Sequence, residues 1–176
     1  MKQNEKTRLV VMTALFAAIT FVGTRINIPI GGNNHIIHVG DAVIYLAACL
    51  LPMPYAMASG AIGAGLADFT TPGCIIWMLP TMLIKPLLVP YFTCKANKFI
   101  TKRHSIGLVL AGLTGTIGYI VAEGIIYGNF IAAFATLPAG LLQPIGSATV
   151  FLAVGYTFDT LHLKAKLKQQ LKGDIG

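Results

Sequence analysis

The sequence predicts an all-α integral membrane protein, a six-helix bundle with its N- and C-termini in the cytoplasm. Of the 176 residues, 55% are hydrophobic and only 11% are charged, whereas roughly 25% are charged in an ordinary soluble domain. The apolar residues form several runs of about the length that crosses a bilayer. The basic residues lie mainly at the edges of these runs. At this length we expect a single transmembrane domain, residues 1–176.

Six apolar segments predict the helices, since a helix of about 20 residues crosses the hydrocarbon core and satisfies its own backbone groups there. The first segment follows Lys2, Lys6 and Arg8. A cleaved signal peptide would begin in the same way, but the further apolar segments favour a retained first helix. The LPMP at residues 51–54 is either a turn between two helices or a break inside one. The predicted helices are residues 8–24, 38–51, 54–69, 75–92, 106–127 and 138–161.

Charge decides between the two interpretations of LPMP, because Lys and Arg are enriched in short cytoplasmic loops. With six helices and a cytoplasmic N-terminus, the N-terminal segment, residues 93–105 and the C-terminal tail all lie inside the cell. These segments contain all the basic residues except Arg25 and Lys85. A single kinked helix at LPMP would split the charges between the two sides. We therefore expect a multi-pass protein of the cell membrane with both ends in the cytoplasm.

The sequence predicts that a lipid bilayer surrounds the chain. It carries no pattern that indicates a cofactor, a metal or a nucleic acid. The net charge of +7 does not indicate nucleic acid, because the basic residues are not interleaved with aromatic residues on a polar face. Cys49, Cys74 and Cys94 lack the spacing of a metal site, so we expect them to be packing residues. The phosphate-binding motif GxxxxGK[ST] is absent from the sequence.

Lys85 lies about midway along the fourth predicted helix. An ionisable group at that depth costs about 2.5–3.5 kcal/mol on insertion scales, so it normally faces a protein interior or a water-filled cavity. We interpret Lys85 as a functional residue. The alternatives are a lysine that snorkels to the interface and a structural partner of a buried carboxylate.

Polar and aromatic side chains gather at the outer ends of the predicted helices and in their connecting loops, whereas the inner side carries mainly lysines. Membrane insertion alone does not need this asymmetry. A concave outer site with a few placed polar groups and aromatic walls explains it. The outer group consists of Arg25, Asn27, Asn33, Asn34, His35, His38, Asp41, Asp68, Trp77, Glu123, Tyr127, Asn129 and Gln143.

Some of these residues have alternative structural roles. Asp41 follows Gly40 near the start of a helix, where a carboxylate can cap free backbone N–H groups; ligand contact is the alternative. His35 and His38 are spaced to share a helical face as metal ligands, but no third ligand has matching spacing. Hydrogen bonding of these histidines to a ligand or to the loop backbone is therefore favoured.

Three residues one turn apart, Tyr119, Glu123 and Tyr127, share a face of the fifth predicted helix. A carboxylate flanked by phenol groups suits stacking and hydrogen bonding to a heteroaromatic ring. An interfacial aromatic belt is the alternative for these tyrosines and for Trp77. Asp68 ends the run GAIGAGLAD, whose glycines permit close helix packing and bring the carboxylate to the outer boundary.

Four stretches of the chain carry a family resemblance. They are HVGDAVIYLAACLLP at residues 38–52, GAIGAGLAD at 60–68, IIWMLPTMLIKPLL at 75–88 and the pair Ala14 and Ala18 in the first helix. Together they resemble the substrate-binding S components of energy-coupling factor (ECF) vitamin transporters. The resemblance extends over nearly the whole chain and agrees with its size and its six predicted helices.

The resemblance implies a subunit that does no chemistry and captures a vitamin or vitamin precursor in an outward-facing pocket. Loop residues 31–35 would cover this pocket. Ala14 and Ala18 would contact a shared ECF transmembrane coupling subunit, which is driven by two ATPases. The overall similarity is to carriers of pyridoxine- or hydroxymethylpyrimidine-like compounds, with cobalamin, riboflavin and queuosine precursors as alternatives. The substrate-binding candidates are Asn33, Asn34, His35, Asp68, Trp77, Lys85, Glu123, Tyr127 and Gln143.

Two functions of other classes are alternatives. An intramembrane enzyme would need an acid–base or metal cluster, whose members would be His35, His38, Asp68 and Glu123. An autonomous secondary transporter or channel would commonly show inverted repeats. The two halves of the sequence show no convincing repeat.

Overall fold

The structure, a computed structural model, describes residues 3–30, 35–94, 96–164 and 166. The described chain is helical apart from one short antiparallel β hairpin, formed by β1 (Asn27–Ile30) and β2 (His35–His38). The α-helices are α1 (Gln3–Arg25), α2 (Gly40–Leu50), α3 (Met53–Thr70), α4 (Met78–Leu88), α5 (Lys102–Tyr127), α6 (Phe130–Ala135), α7 (Leu137–Gly140) and α8 (Leu142–Thr160). Short 3-10 turns, Ile75–Trp77 and Val89–Tyr91, extend α4 at both ends.

Each of the six predicted segments contains a helix, but several boundaries differ. Helix α5 begins at Lys102, one turn before the predicted start. The prediction of one helix over residues 138–161 is wrong, because α7 ends at Gly140 and α8 begins only at Leu142. Pro138 and Pro144 lie in this region, and neither has the N–H group that the interior of a continuous helix uses. The predicted sixth helix is therefore α8, preceded by the short helices α6 and α7.

The all-α prediction is confirmed apart from the one short β hairpin, which moves the start of the second helix from His38 to Gly40. The strands pair from Asn27 with His38 to Ile30 with His35. His35 and His38 are thus the two ends of a strand, and the helical face on which a shared metal site was considered does not exist. A two-stranded sheet has only edge strands, which is the position that a proline in β1 requires.

The LPMP segment separates two helices. Helix α2 ends at Leu50, and Leu51 and Pro52 have extended backbone conformations. Pro54 lies in the first turn of α3, where its missing N–H group would have no acceptor within the helix. The turn between the second and third predicted helices is therefore confirmed.

The longer helices run alternately between two ends of the bundle. At the end that carries the hairpin, called the hairpin end, the Val39 N–H donates to the Gly23 carbonyl at 3.2 Å and joins α1 to the start of α2. At the opposite end, called the loop end, the Asp159 carboxylate of α8 accepts hydrogen bonds from the backbone N–H groups of Phe99 and Ile100 at 2.6 and 2.9 Å. These bonds attach the segment between α4 and α5 to the end of α8.

Helices α1 and α3 lie unusually close because α3 has a glycine where the two cross. A Cβ atom on Gly63 would collide with the carbonyl oxygen of Ala17 and with the side chain of Thr20. A Cβ atom on Gly65 would likewise collide with Met82 of α4. The predicted role of the GAIGAGLAD glycines in close helix packing is confirmed at these two positions.

Helix α2 lies at the centre of the bundle. All of its residues except Val43 are buried. The ring of Tyr45 stacks on Phe92, with centroids 4.1 Å apart and planes inclined by 15°, and Phe151 of α8 packs with its ring steeply inclined to both. Cys49 is also buried in this core, in agreement with its predicted packing role. Residues near the start of α2 are therefore held in fixed positions facing α4 and α8.

In the part of the chain that the structure describes, two helices are long and apolar enough to cross a membrane, α1 and α5. Gly40–Leu50 and Ile75–Tyr91 are shorter apolar helices. The crossing of the membrane by all six predicted segments, with both termini in the cytoplasm, stays a prediction.

Candidate functional site

A cavity of about 200 Å³ lies at the hairpin end, enclosed mainly by α2, α4, α5, α7 and α8. Aliphatic side chains and glycines form much of its wall, among them Leu88, Gly112, Gly115 and Ile120. A small number of polar side chains interrupt this apolar surface. This composition is typical of a site that binds a small molecule, in which polar groups fix the orientation of the ligand.

Lys85 and Asp41 form an ion pair in the cavity wall. Lys85 Nζ lies 2.6 Å from Asp41 Oδ1, and the two side chains are only 3% and 6% exposed. The lysine ammonium also lies over the ring of Tyr119, 5.0 Å from its centroid. Lys85 therefore does not snorkel to an interface. It is the partner of a buried carboxylate and at the same time part of the cavity lining.

The capping role considered for Asp41 is wrong. Val39 occupies the N-cap position of α2, and no side chain caps the helix there. The carboxylate turns instead to the buried cation of α4, because an unpaired ammonium in an apolar surrounding is far more costly than an uncapped N–H group. Only the fold brings this pair together, since its members lie on helices that are distant in the sequence.

Gln143, at the start of α8, attaches the hairpin to the cavity. Its Oε1 atom accepts a hydrogen bond from the backbone N–H of His38 at 3.0 Å, and its Nε2 atom donates to the His38 carbonyl at 3.0 Å. The same nitrogen lies 3.3 Å from Asp41 Oδ2 and 3.1 Å from Ser147 Oγ. One side chain thus contacts the last residue of β2, the ion pair and the cavity.

His38 completes the polar group at this end of the hairpin. Burial lowers the pKa of the His38 ring from 6.5 to about 4; nearby Asp41 opposes this shift and Lys85 adds to it. The imidazole is therefore neutral near pH 7. It adds no positive charge to the surroundings of the cavity.

Glu123 and Thr136 connect the end of α5 to the segment that covers it. Glu123 Oε2 accepts a hydrogen bond from Thr136 Oγ1 at 3.0 Å, and both residues line the cavity. Two turns before Glu123, Thr116 also lines the cavity, and its buried hydroxyl has no hydrogen-bond partner among the described residues. The chain around Thr136, Leu137 and Gly140 closes the cavity from this side.

Asp68 and Trp77 stand behind the cavity wall. The hydroxyls of Thr81 and Tyr119 are 3.0 Å apart, and the Thr81 side chain also interacts with Asp68. The Trp77 ring packs near Tyr119 and Tyr127, with centroid distances of 6.1 and 6.3 Å. Tyr127 itself is 61% exposed. The predicted face of three residues on α5 is therefore divided: Tyr119 and Glu123 line the cavity and Tyr127 lies outside it.

The structure thus brings some of the predicted substrate-binding residues together at the cavity and leaves others away from it. Lys85, Glu123 and Gln143 come together around the cavity. His35 is the first residue of β2, and Asn33 and Asn34 lie outside the described residues, as does most of the predicted lid at residues 31–35. Five polar lining residues were absent from the predicted substrate-binding set: Asp41, Tyr45, Thr116, Tyr119 and Thr136. Thr116 was detectable, because it lies on the same α5 face as Glu123, two turns before it.

A second hollow of about 820 Å³ runs along α1 and α3. Its wall is almost entirely apolar and includes Ala14, Ala17 and Ala18 of α1 with Ala58 and Ile62 of α3. Ala14 and Ala18 are exposed, whereas Ala17 is buried against the neighbouring helix. The two predicted partner-binding residues therefore lie on an accessible apolar surface.

Comparisons with curated proteins and with solved structures found no match. One family model, described as ECF-type riboflavin transporter, S component, matches residues 4–157. The matched range contains both the cavity and the hollow along α1 and α3. The match agrees with the four resembling stretches, and the family is one of transporters and not of enzymes. The chain therefore belongs to the S components of the ECF-type riboflavin transporter family, which are membrane-embedded substrate-capture subunits of ECF transporters.

Proposed function

We propose that the chain captures a vitamin or vitamin precursor with a single six-membered heteroaromatic ring, pyridoxine-like or hydroxymethylpyrimidine-like. The observation that carries the proposal is the cavity at the hairpin end. Its volume of about 200 Å³ is below the roughly 300–1,000 Å³ of most ligand pockets. A single ring with short substituents suits this volume better than a fused ring system with a long side chain.

The polar groups of the cavity suit the same ligand class. Hydroxymethyl groups donate and accept hydrogen bonds and the ring nitrogens accept them, and Asp41 and Lys85 offer an acceptor and a donor side by side. The unpartnered hydroxyl of Thr116 offers another. Tyr119 supplies an aromatic wall against which a ring can pack.

Each predicted substrate-binding residue has a role in this proposal. Lys85, Glu123 and Gln143 contact the ligand, while Asp68, Trp77 and Tyr127 support the aromatic wall. Asn33, Asn34 and His35 belong to the loop that covers the site. Riboflavin is the second candidate ligand, because the matching family carries that vitamin in its description.

Transport requires partners in this proposal. The exposed Ala14 and Ala18 and the apolar hollow around them dock on the ECF transmembrane coupling subunit, whose two ATPases supply the energy. The hairpin end faces the outside of the cell membrane, and the lysine-rich loop end faces the cytoplasm.

Native mass spectrometry of the detergent-purified protein, followed by titration with pyridoxine, hydroxymethylpyrimidine and riboflavin, tests the ligand. We expect one single-ring compound bound per chain. Riboflavin bound in its place would select the second candidate. Absence of any bound compound and of binding in the titrations would contradict the capture of these vitamins.

A matched pair of threonine variants on α5 tests the position of the site. Thr116→Val removes the buried, unpartnered hydroxyl of a residue that lines the cavity, and we expect a threefold to tenfold loss of affinity, about the value of one hydrogen bond. Thr114→Val is the control, because the Thr114 hydroxyl contacts Tyr91 Oη at 2.8 Å and does not line the cavity. Equal affinities of the two variants would place the ligand elsewhere.

A further inference from the structure

The charges around the cavity restrict the ligand beyond its size. We infer that the cavity accepts the uncharged or cationic form of a ring compound and rejects its phosphate ester. This inference rests on the proposed function, since it concerns the same cavity and the same ligand class. It adds a property that neither the cavity volume nor the family description states.

Lys85 is the one cation among the described lining residues, and its charge is already matched. Asp41 Oδ1 lies 2.6 Å from the ammonium group, and the Tyr119 ring adds a second favourable contact at 5.0 Å. An anionic ligand would have to share the ammonium group with Asp41 or draw it away. Either change would weaken the pairing of a buried carboxylate with its cation, which is unfavourable.

Glu123 adds a second negative charge to the lining. Its carboxylate accepts a hydrogen bond from Thr136, and no ion pair of Glu123 occurs within the described part of the chain. The lining then contains two carboxylates and one ammonium group. Since the His38 ring is neutral near pH 7, it does not change this balance. The cavity is therefore negatively charged overall.

Three backbone N–H groups near the start of α8 already have acceptors and cannot replace the missing cation. A helix N-terminus can bind phosphate only through N–H groups that lack other partners. Here Gly140, Leu141 and Ile145 donate to the carbonyls of Thr136, Leu137 and Leu141. Pro144, between them, has no N–H group.

A phosphate monoester brings a charge of about −1.5 to −2 at pH 7 into these surroundings. Repulsion from Glu123 and loss of hydration both oppose its entry. A phosphorylated form of the ligand would thus have to lose its phosphate by ester hydrolysis before the cavity could bind it. A ligand phosphorylated after release would no longer bind the cavity.

Titration with matched ligand pairs tests the inference on the purified full-length protein. The pairs are pyridoxine with pyridoxine phosphate, hydroxymethylpyrimidine with its monophosphate, and riboflavin with riboflavin phosphate. For the pair that binds, we expect the phosphate ester to bind at least about 100-fold more weakly. Equal or tighter binding of the ester would overturn the inference and leave the proposed capture of a ring compound intact. If neither member of any pair binds, the proposed function fails and the inference with it.

Two variants separate the effect of the Glu123 charge on affinity from the effect of the hydrogen bond between Glu123 and Thr136. Glu123→Gln keeps an acceptor for the Thr136 hydroxyl and removes the negative charge, so we expect the affinity ratio within the pair to narrow about tenfold. Thr136→Val breaks the same hydrogen bond and keeps the charge, so both members of the pair should change alike. An unchanged ratio in Glu123→Gln would overturn the role of the negative charge.

Discussion

Lys85 and Asp41 are buried side by side between α4 and α2. Replacement of Lys85 by Met removes the cation and leaves the carboxylate buried without it. We expect this variant to lose about 3–5 kcal/mol of stability. Thermal unfolding of the purified protein in detergent, followed by circular dichroism, measures the loss.

The double variant Lys85→Met/Asp41→Asn is the matched control, because it removes both charges together. Neutral replacement of a complete buried pair often has little effect on stability. We therefore expect the double variant to unfold at a higher temperature than Lys85→Met alone. A Lys85→Met protein that unfolds at the wild-type temperature would contradict a stabilising role of the pair.

His38 gives the hairpin end a dependence on pH. Burial lowers the pKa of its ring to about 4 in the folded protein, below the ordinary 6.5. Between these two values the unfolded chain binds a proton that the folded chain does not bind. The stability that neutral His38 contributes is therefore complete above about pH 6.5 and is lost as the pH falls towards 4.

Thermal unfolding of the wild type and of His38→Gln at about pH 7 and about pH 4.5 measures this effect. Asp41, Lys85 and Gln143 face the histidine in both proteins, so their contributions are shared. We expect the wild type to lose more stability than the variant on acidification. Equal losses would show that the His38 ring is accessible to protons in the folded protein.

At the level of single residues, the sequence predicted which residues lie at the cavity better than it predicted which side chains contact each other. Lys85 was predicted from its depth in an apolar segment and Glu123 and Gln143 from their places at the outer ends of the predicted helices, and the structure places all three at the cavity. Asp41 was assigned to a helix cap because capping is a local pattern. Its contact with Lys85 depends on how two helices pack, and no spacing in the sequence encodes that.

Among the elements, the hairpin depends on Gln143, which holds the last residue of β2 by two backbone hydrogen bonds. We expect Gln143→Leu to release this strand, since leucine can neither donate nor accept. Hydrogen exchange of the segment 35–38, followed by mass spectrometry, should become faster, and a bound ligand should dissociate faster.

Ser147→Ala is the control for this variant, because it removes only the contact between Ser147 Oγ and Gln143 Nε2. Its hairpin should exchange at the wild-type rate. Wild-type exchange in Gln143→Leu would mean that the remaining contacts of β2 are sufficient to hold it.

The hairpin itself was missed because the segment between the first two predicted helices was interpreted as a loop, with residues 31–35 covering the pocket. NIPI and HIIH flank the sequence GGNN, and glycine and asparagine between two β-branched runs are a hairpin signal. The polar residues of this segment were assigned to ligand binding, and the strand pattern beside them was not used. The longer apolar segments were predicted correctly because their length leaves little choice but a helix.

For the molecule as a whole, the apolar surface along α1 and α3 is the proposed docking site, and it is separate from the cavity. Leucine at both Ala14 and Ala18 would fill the hollow between the helices. We expect the double variant Ala14→Leu/Ala18→Leu to lose its complex with the coupling subunit and to keep its affinity for the ligand. Co-purification with the coupling subunit and ligand titration measure the two properties separately.

Ala153→Leu is the matched control, because Ala153 is an exposed alanine of α8 that lines neither the cavity nor the hollow. It should keep both the complex and the ligand. A double variant that still forms the complex would exclude this surface as the docking site.

The glycine crossing of α1 and α3 has a mechanical consequence. At Gly63 the backbone of one helix rests on the carbonyl of Ala17 in the other, so no rotamer change can alter their spacing. We therefore expect a displacement of α1 to move α3 by the same amount. A partner that binds α1 is therefore expected to turn α1 and α3 together, whereas the last residue of the hairpin is held to α8 by Gln143.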